Sequence, residues 1–279
     1  MPVPEDLDLR TLPRLGVRSR FAHKDSFGRV TVLGGAPEYG GALALAAKAA
    51  YRVGAGVVTA MGHSSSRSHV AALVPEATWS DWPARLVRRL PSSHFLAFGP
   101  GLGQGLAGHD YAREAGSLPG PQLWDADALN ILARLGPGLL KSSAIRIFTP
   151  HPGEAARLLD CSSAAVQENR PAAIQALAER YGGIWILKGE STLLWEGREL
   201  RRCPWGNPGM ATGGSGDVLT GVIVGLWAQG LAAWEAAQLG VAVHARAGDR
   251  AAARLGEASV LAGDLIEELP MALQELDQP

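Results

Sequence analysis

Asn207-Pro208-Gly209-Met210-Ala211-Thr212-Gly213-Gly214-Ser215-Gly216-Asp217 runs without a break into Val218-Leu219-Thr220-Gly221-Val222-Ile223-Val224-Gly225, and this junction decides the fold. Glycines at 213, 214 and 216 permit positive φ and let a ligand approach the backbone. The residues that follow are apolar nearly all round, which predicts a buried central helix starting near Gly216. Its free N–H groups and dipole favour an anion there. Gly221 and Gly225, one turn apart, predict close packing. Asp217 is the odd residue, a carboxylate at a buried helix start. A capping acid and turn-forming glycines would use the same residues, but three glycines plus an acid exceed what a cap needs. The segment is no Walker A loop, since GxxxxGK[ST] occurs nowhere in the chain.

Working outward, short strand-like runs alternate with helical ones. Val30–Leu33 precedes the Ala-rich stretch Ala42–Ala50, and Val57–Met61 follows. Phe95–Phe98 leads into glycines, Leu123–Trp124 into Ala126–Leu135, and Ile145–Thr149 into Pro152–Leu159. Ile184–Leu187 leads to a hairpin, Thr192–Trp195 with Leu200–Arg202. Helices are expected over Asp217–Gln229, Trp234–Arg254 and Asp264–Glu275. This alternation predicts an α/β fold, a central mostly parallel sheet with helices on both faces. No internal repeat or linker divides it. We expect a loosely attached N-terminal extension over residues 1–20 and a single domain over 21–279.

Of the 279 residues 47% are hydrophobic, enough for a large core in one α/β domain. The formal net charge is -1 and the arginines are scattered, which argues against binding nucleic acid through its phosphates. Cys161 and Cys203 form no CxxC and lie in no zinc spacing. Two free thiols, no apolar leader and no apolar run long enough to span a bilayer predict a soluble cytoplasmic protein.

Ligands of open parallel sheets sit beyond the C-terminal strand ends, so the loops there carry the chemistry. Gly34–Ala42 is glycine-rich and opens a helix, with Tyr39 placed either to stack on a ring or to pack on its own turn. Gly99-Pro100-Gly101-Leu102-Gly103 suits a flat or charged ligand, or is a plain turn. Gly103 to Gly108 also spells GxGxxG, a weak dinucleotide signal this late in the chain. Asp125 and Asp127 stand just past a strand, as site acids or helix caps. In Thr149–Glu154, Glu154 is either a helix starter favoured by the dipole or an acid holding Mg²⁺ directly or through water. His151 is a ligand contact or a brace. Lys188-Gly189-Glu190-Ser191-Thr192 places a lysine and hydroxyls where a nucleotide would lie, or makes a hairpin turn.

In this order, with His23-Lys24, Phe27-Gly28, Val166-Gln167 and Arg170, these motifs resemble the ADP/ATP-dependent NAD(P)H-hydrate dehydratases from about His23 to Leu269. The resemblance implies a ribokinase-like fold and ADP-dependent repair of hydrated NADH and NADPH. It implies that Ala42, Gly103, His151 and Asp217 contact the hydrated nucleotide, with Asp217 as catalytic base. Lys188, Gly189, Glu190, Ser191, Thr192 and Gly216 would hold the adenine nucleotide. Gly213, Gly214 and Gly216 would form the anion hole, and Glu154 would organise Mg²⁺, through water or directly. Asp25, Ala36, Trp124 and Ser215 depart from the family's usual Gly, Ser, aliphatic residue and Thr. A homotetramer is implied, and dehydration alone, with a separate epimerase as functional partner. A small-molecule kinase of the same fold is the nearest alternative, and a nucleotide sensor without catalysis the next.

Overall fold

Val30-Thr31-Val32-Leu33 and its counterparts are β-branched, aromatic or aliphatic runs buried on both faces, as parallel strands require. In a computed structural model describing residues 3–277, apart from 84 and 87–89, ten strands form one sheet. The strands are β1 (Glu5–Asp6), β2 (Arg29–Leu33), β3 (Val57–Gly62), β4 (Thr78–Asp81), β5 (Phe95–Phe98), β6 (Gln122–Trp124), β7 (Arg146–Phe148), β8 (Ile184–Leu187), β9 (Leu193–Glu196) and β10 (Glu199–Arg202). Their order is β1-β10-β9-β8-β7-β6-β5-β2-β3-β4. Only the β8–β9 and β9–β10 pairs are antiparallel, where the expected hairpin doubles back.

One face is covered by α1 (Gly40–Arg52), α8 (Ser215–Ala228), α9 (Ala233–Leu255) and α10 (Ala262–Asp277). The other is covered by α3 (Leu106–Ala115), α4 (Asp127–Leu135), α5 (Pro152–Leu159) and α7 (Arg170–Tyr181). Two shorter helices, α2 (Arg67–Leu73) and α6 (Ser163–Glu168), complete the described set. On the α3–α7 face, Phe98, Trp124, Phe148 and Trp185 form a row across β5, β6, β7 and β8. Ring centroids in this row lie 5.0, 6.4 and 4.4 Å apart. A buried indole must still satisfy its N–H. Trp124 Nε1 donates to Gln122 Oε1 at 2.8 Å, and the same oxygen accepts from Arg146 Nε at 3.1 Å. A tryptophan is thereby accommodated where an aliphatic residue is usual.

On the opposite face α8 lies against α1. A Cβ on Gly221 would meet the Ala46 carbonyl, and one on Gly225 the Ala50 backbone, so both helices approach to backbone contact as the glycine spacing predicts. The N-terminal segment is tied to the sheet over residues 5–12. Leu7 N–H donates to Arg202 O at 2.8 Å, and Arg201 and Arg202 pair with Glu5 and Asp6. Leu7 and Leu12 are buried in the cluster that includes Leu239 and Leu276. Residues 5–12 are thus packed on the sheet. Val17 and Phe21 stay exposed. Among the described residues no helix is long and apolar enough to cross a membrane.

Candidate active site

Each parallel strand from β2 through β8 ends at the same edge of the sheet, and hydrogen bonds join the loops that leave it. Gly35 N–H donates to Pro100 O at 3.0 Å and Ala36 N–H to Gly101 O at 2.7 Å. Gly103 N–H donates to Asp127 Oδ2 at 2.9 Å, joining the loop after β5 to the loop after β6. Lys188 N–H donates to Pro150 O at 2.9 Å, joining the loops after β7 and β8. Ala42, in the first turn of α1, stands beside Gly101, since a Cβ there would come within 3.2 Å of it. Tyr39 packs its Cβ toward Gly101 and leaves its ring half exposed.

Asp125 and Asp217 cap no helix. The N-cap of α4 is Ala126, strained at φ 51°, with no side-chain cap. Asp125 is instead 1% exposed with both oxygens occupied. Its Oδ1 accepts from Lys188 Nζ at 2.7 Å and its Oδ2 from Thr220 Oγ1 at 2.8 Å. Helix α8 begins at Ser215, and its N-cap is Gly214 at φ 92°, again without a side-chain cap. Asp217 stands in the first turn without capping it, and no side-chain cap serves the N–H groups of that turn. The helix start is fixed from behind. His244 Nε2 lies 2.9 Å from Ser215 O, and a ring carrying its proton on that nitrogen donates to the carbonyl.

Glu154 is almost fully buried in the first turn of α5, and its Oε2 accepts from His151 N–H at 2.8 Å. His151 returns the cap, its Nδ1 accepting from Gly153 and Glu154 N–H. The half-exposed His151 ring is thus a brace, its Nε2 3.4 Å from Glu154 Oε1. Lys188 Nζ stands 4.0 Å from Glu154 Oε2, and a Cβ on Gly216 would lie 3.2 Å from it. The lysine therefore sits over the start of α8, not on the outer loop with Glu190 and Ser191. Gly189, Glu190 and Ser191 are exposed, with Ser191 at φ 52°.

The Lys188 ammonium faces three carboxylates, and burial raises the pKa of two of them, Asp217 and Glu154. Burial pushes Asp217 up to about 7, with Asp125 adding and Lys188 opposing. Burial also raises Glu154 against the pull of Lys188. For Lys188 burial works against the charge, but Asp125 and Glu154 outweigh it and its pKa is raised. Burial and the neighbouring Lys188 keep His151 below its usual range. His244 is pushed down to about 4 by burial, which leaves it neutral near pH 7.

The structure thus gathers Asp217, Gly216, Lys188, Glu154 and His151 from the expected set. Gly213 and Gly214 flank them at the helix start, Ala42 lies in the first turn of α1 and Gly103 on the loop after β5. Sequence reasoning left the role of Asp125 open and passed over Thr220 and His244. The usable signals were a hydroxyl in the otherwise apolar start of α8, one turn past Gly216, and a histidine within the apolar run of α9. No described group of three His, Cys, Asp or Glu side chains converges closely enough to cage a metal by itself.

A sequence model of the family described as NAD(P)H-hydrate dehydratase matches residues 30–271. The chain is 42% identical over 254 residues to the bifunctional NAD(P)H-hydrate repair enzyme of Vibrio cholerae, covering 90% of this chain and 51% of that one. It is 38% identical over 261 residues to the ADP-dependent (S)-NAD(P)H-hydrate dehydratase of Neisseria meningitidis serogroup B, covering 89% of this chain and 86% of that one. The chain spans about half the length of the bifunctional relatives it matches. Its structure is similar to that of the ADP/ATP-dependent NAD(P)H-hydrate dehydratase from Bacillus subtilis co-crystallised with ATP and Mg²⁺. The TM-score is 0.89 at 26% identity, with 99% of each chain covered. This likeness bears out the expected ribokinase-like architecture. A match to the family's own model over most of the chain, with relatives well above 30% identity, leads to one conclusion: the chain belongs to the NAD(P)H-hydrate dehydratase family.

Proposed function

We propose that this chain acts in the cytoplasm as an ADP-dependent dehydratase, restoring NADH and NADPH from their (S) hydrates and releasing AMP and phosphate. The observation that carries the reading is Asp217, a base with a pKa of about 7 in the first turn of a helix whose N-terminal N–H groups lack a side-chain cap. A base poised near neutral pH beside a ready-made phosphate cradle is what transfer to an alcohol requires.

Water added across a nicotinamide double bond leaves a ring hydroxyl, a poor leaving group. Asp217 accepts the hydroxyl proton as the oxygen attacks the terminal phosphorus of ADP. A new P–O bond forms, the bond to the bridging oxygen breaks, and AMP leaves. N–H groups at Gly213, Gly214 and Gly216 meet the charge growing on the phosphoryl oxygens. The phosphate then departs with the C–O electrons, driven by the ring nitrogen, and loss of a proton from the neighbouring carbon closes the double bond. Ala42, Gly103 and His151 line the hydrate's side. Lys188, Gly189, Glu190, Ser191 and Thr192 line the nucleotide's side.

The residues present fit Mg²⁺ held mainly by phosphate and water. Glu154 is a buried carboxyl 4.0 Å from the Lys188 ammonium, and among the described residues no protein cage is preformed. When bound, the ion would neutralise phosphoryl charge. The name of the Neisseria relative supports ADP as donor. We further propose a homotetramer, working with an epimerase that interconverts the hydrate epimers.

Phosphorus NMR of a mixture of protein, hydrated NADH, ADP and Mg²⁺ tests the chemistry. AMP and free phosphate in equal amounts support it. Build-up of a stable phosphoester would make the chain a small-molecule kinase instead.

A further inference from the structure

We infer that Asp125 is a positioning residue that holds the Lys188 ammonium at the start of α8, where the phosphoryl group changes hands, and away from the nucleoside. The inference deepens the dehydratase reading and rests on it.

Three separate observations converge on Asp125. Its carboxylate is 1% exposed, yet it spends its two oxygens on two different elements, Lys188 from the loop after β8 and Thr220 of α8. It is followed by Ala126, a non-glycine residue at φ 51° and ψ −120°, a backbone held in a sparsely populated region. Such strain persists only where the surroundings impose it, and it clusters at functional sites. The third is what the carboxylate aims. Lysine is a flexible point charge that follows its partner. Held by Asp125, Lys188 Nζ lies beside Gly216 and 4.0 Å from Glu154, while the rest of its loop, Gly189 to Ser191, faces outward.

A buried cation beside helix N–H groups adds to the charge that a transferring phosphoryl group needs. A lysine that served the adenine or ribose would instead accompany Glu190 and Ser191. Thr220 completes the device. By donating to Oδ2 it fixes the carboxylate relative to α8, so lysine and helix start keep one geometry. With one oxygen on Lys188 and the other on Thr220, Asp125 is held in place, and the hydroxyl proton is left to Asp217.

The test is a double-mutant cycle on the full chain with Asp125→Asn, Lys188→Met and the pair, reading kcat, the KM for ADP, the Kd for AMP and the melting temperature. Each single change should lower kcat about 100-fold, leaving AMP affinity within about threefold. The double variant should be no slower than the slower single one, because Asp125 acts through Lys188. Lys188→Arg should recover part of the lost kcat. Should Asp125→Asn fail to fold, Thr220→Val replaces it, with kcat lowered about tenfold at unchanged AMP affinity. Losses that multiply in the double variant overturn the inference. So does a Lys188→Met protein with wild-type kcat and weakened AMP binding. A wild-type protein inert toward hydrated NADH with any nucleotide sinks the dehydratase reading itself. A wild type that turns over but shows independent losses sinks only the role given to Asp125.

Discussion

Asp217 gains its basicity from its place. An aspartate in water is a weak base, but in the first turn of a buried helix beside Asp125 it holds its proton to about pH 7. Asp217→Asn keeps the shape and removes the base, so turnover should fall at least about 100-fold, measured as kcat at saturating hydrate and ADP. The same variant has a stability signature. The folded pKa of about 7 stands above the ordinary 3.8, so the folded state holds more protons between these values and loses stability as pH rises through them. Asp217→Asn should therefore stabilise the fold above pH 7, by up to about 4 kcal/mol, read as a higher melting temperature, and leave stability nearly unchanged below pH 4. An equal shift at both ends would contradict the assignment. Asp217 and Glu154 were legible because acids inside glycine- and proline-rich loops violate what such loops need. Asp125 was less so, since an acid before a helix reads equally well as a cap. Only its contacts with Lys188 and Thr220 separate the two.

At the scale of elements, the start of α8 is set by packing on one side and a buried imidazole on the other. Gly221 lets α8 touch the α1 backbone at Ala46. Gly221→Val would push the helices apart at a cost of about 1–3 kcal/mol, seen as a lower denaturation midpoint with an unchanged m-value. His244 braces Ser215 from a site whose burial penalises the charged ring. With its pKa depressed to about 4, its contribution is present above about pH 6.5 and lost as pH falls through 4. His244→Gln retains a donor without a titrating ring, so the variant should lose less stability than wild type between pH 6.5 and 4. Parallel acid limbs for the two proteins would contradict this. The glycine spacing on α8 was readable as close packing. His244 was not, because an isolated histidine on an apolar face looks the same whether it braces a carbonyl or merely fills space.

For the whole molecule, alternation of strand-like and helical runs foretold the layers, because each parallel strand buried on both faces must read as an apolar run. β5, α5 and β8 fall where the sequence places them. What escaped were the polar or short pieces. β4 is a partly exposed edge strand, Thr78–Asp81. β1 holds two charged residues whose pairing depends on Arg201 and Arg202, distant in the sequence. Helices α3 and α7 went unread as well, α3 because its start is masked by the glycines before it. The loops converge because the strands run parallel, and that convergence turns separate glycine, acid and lysine signals into one site. The central claim is that this site dehydrates hydrated NADH at the expense of ADP. Its most direct test is the return of the near-ultraviolet dihydronicotinamide absorbance when the purified (S) hydrate is mixed with the protein, ADP and Mg²⁺. Recovery should require ADP and stop in Asp217→Asn. Absorbance that stays flat with ADP while the protein binds AMP would contradict it.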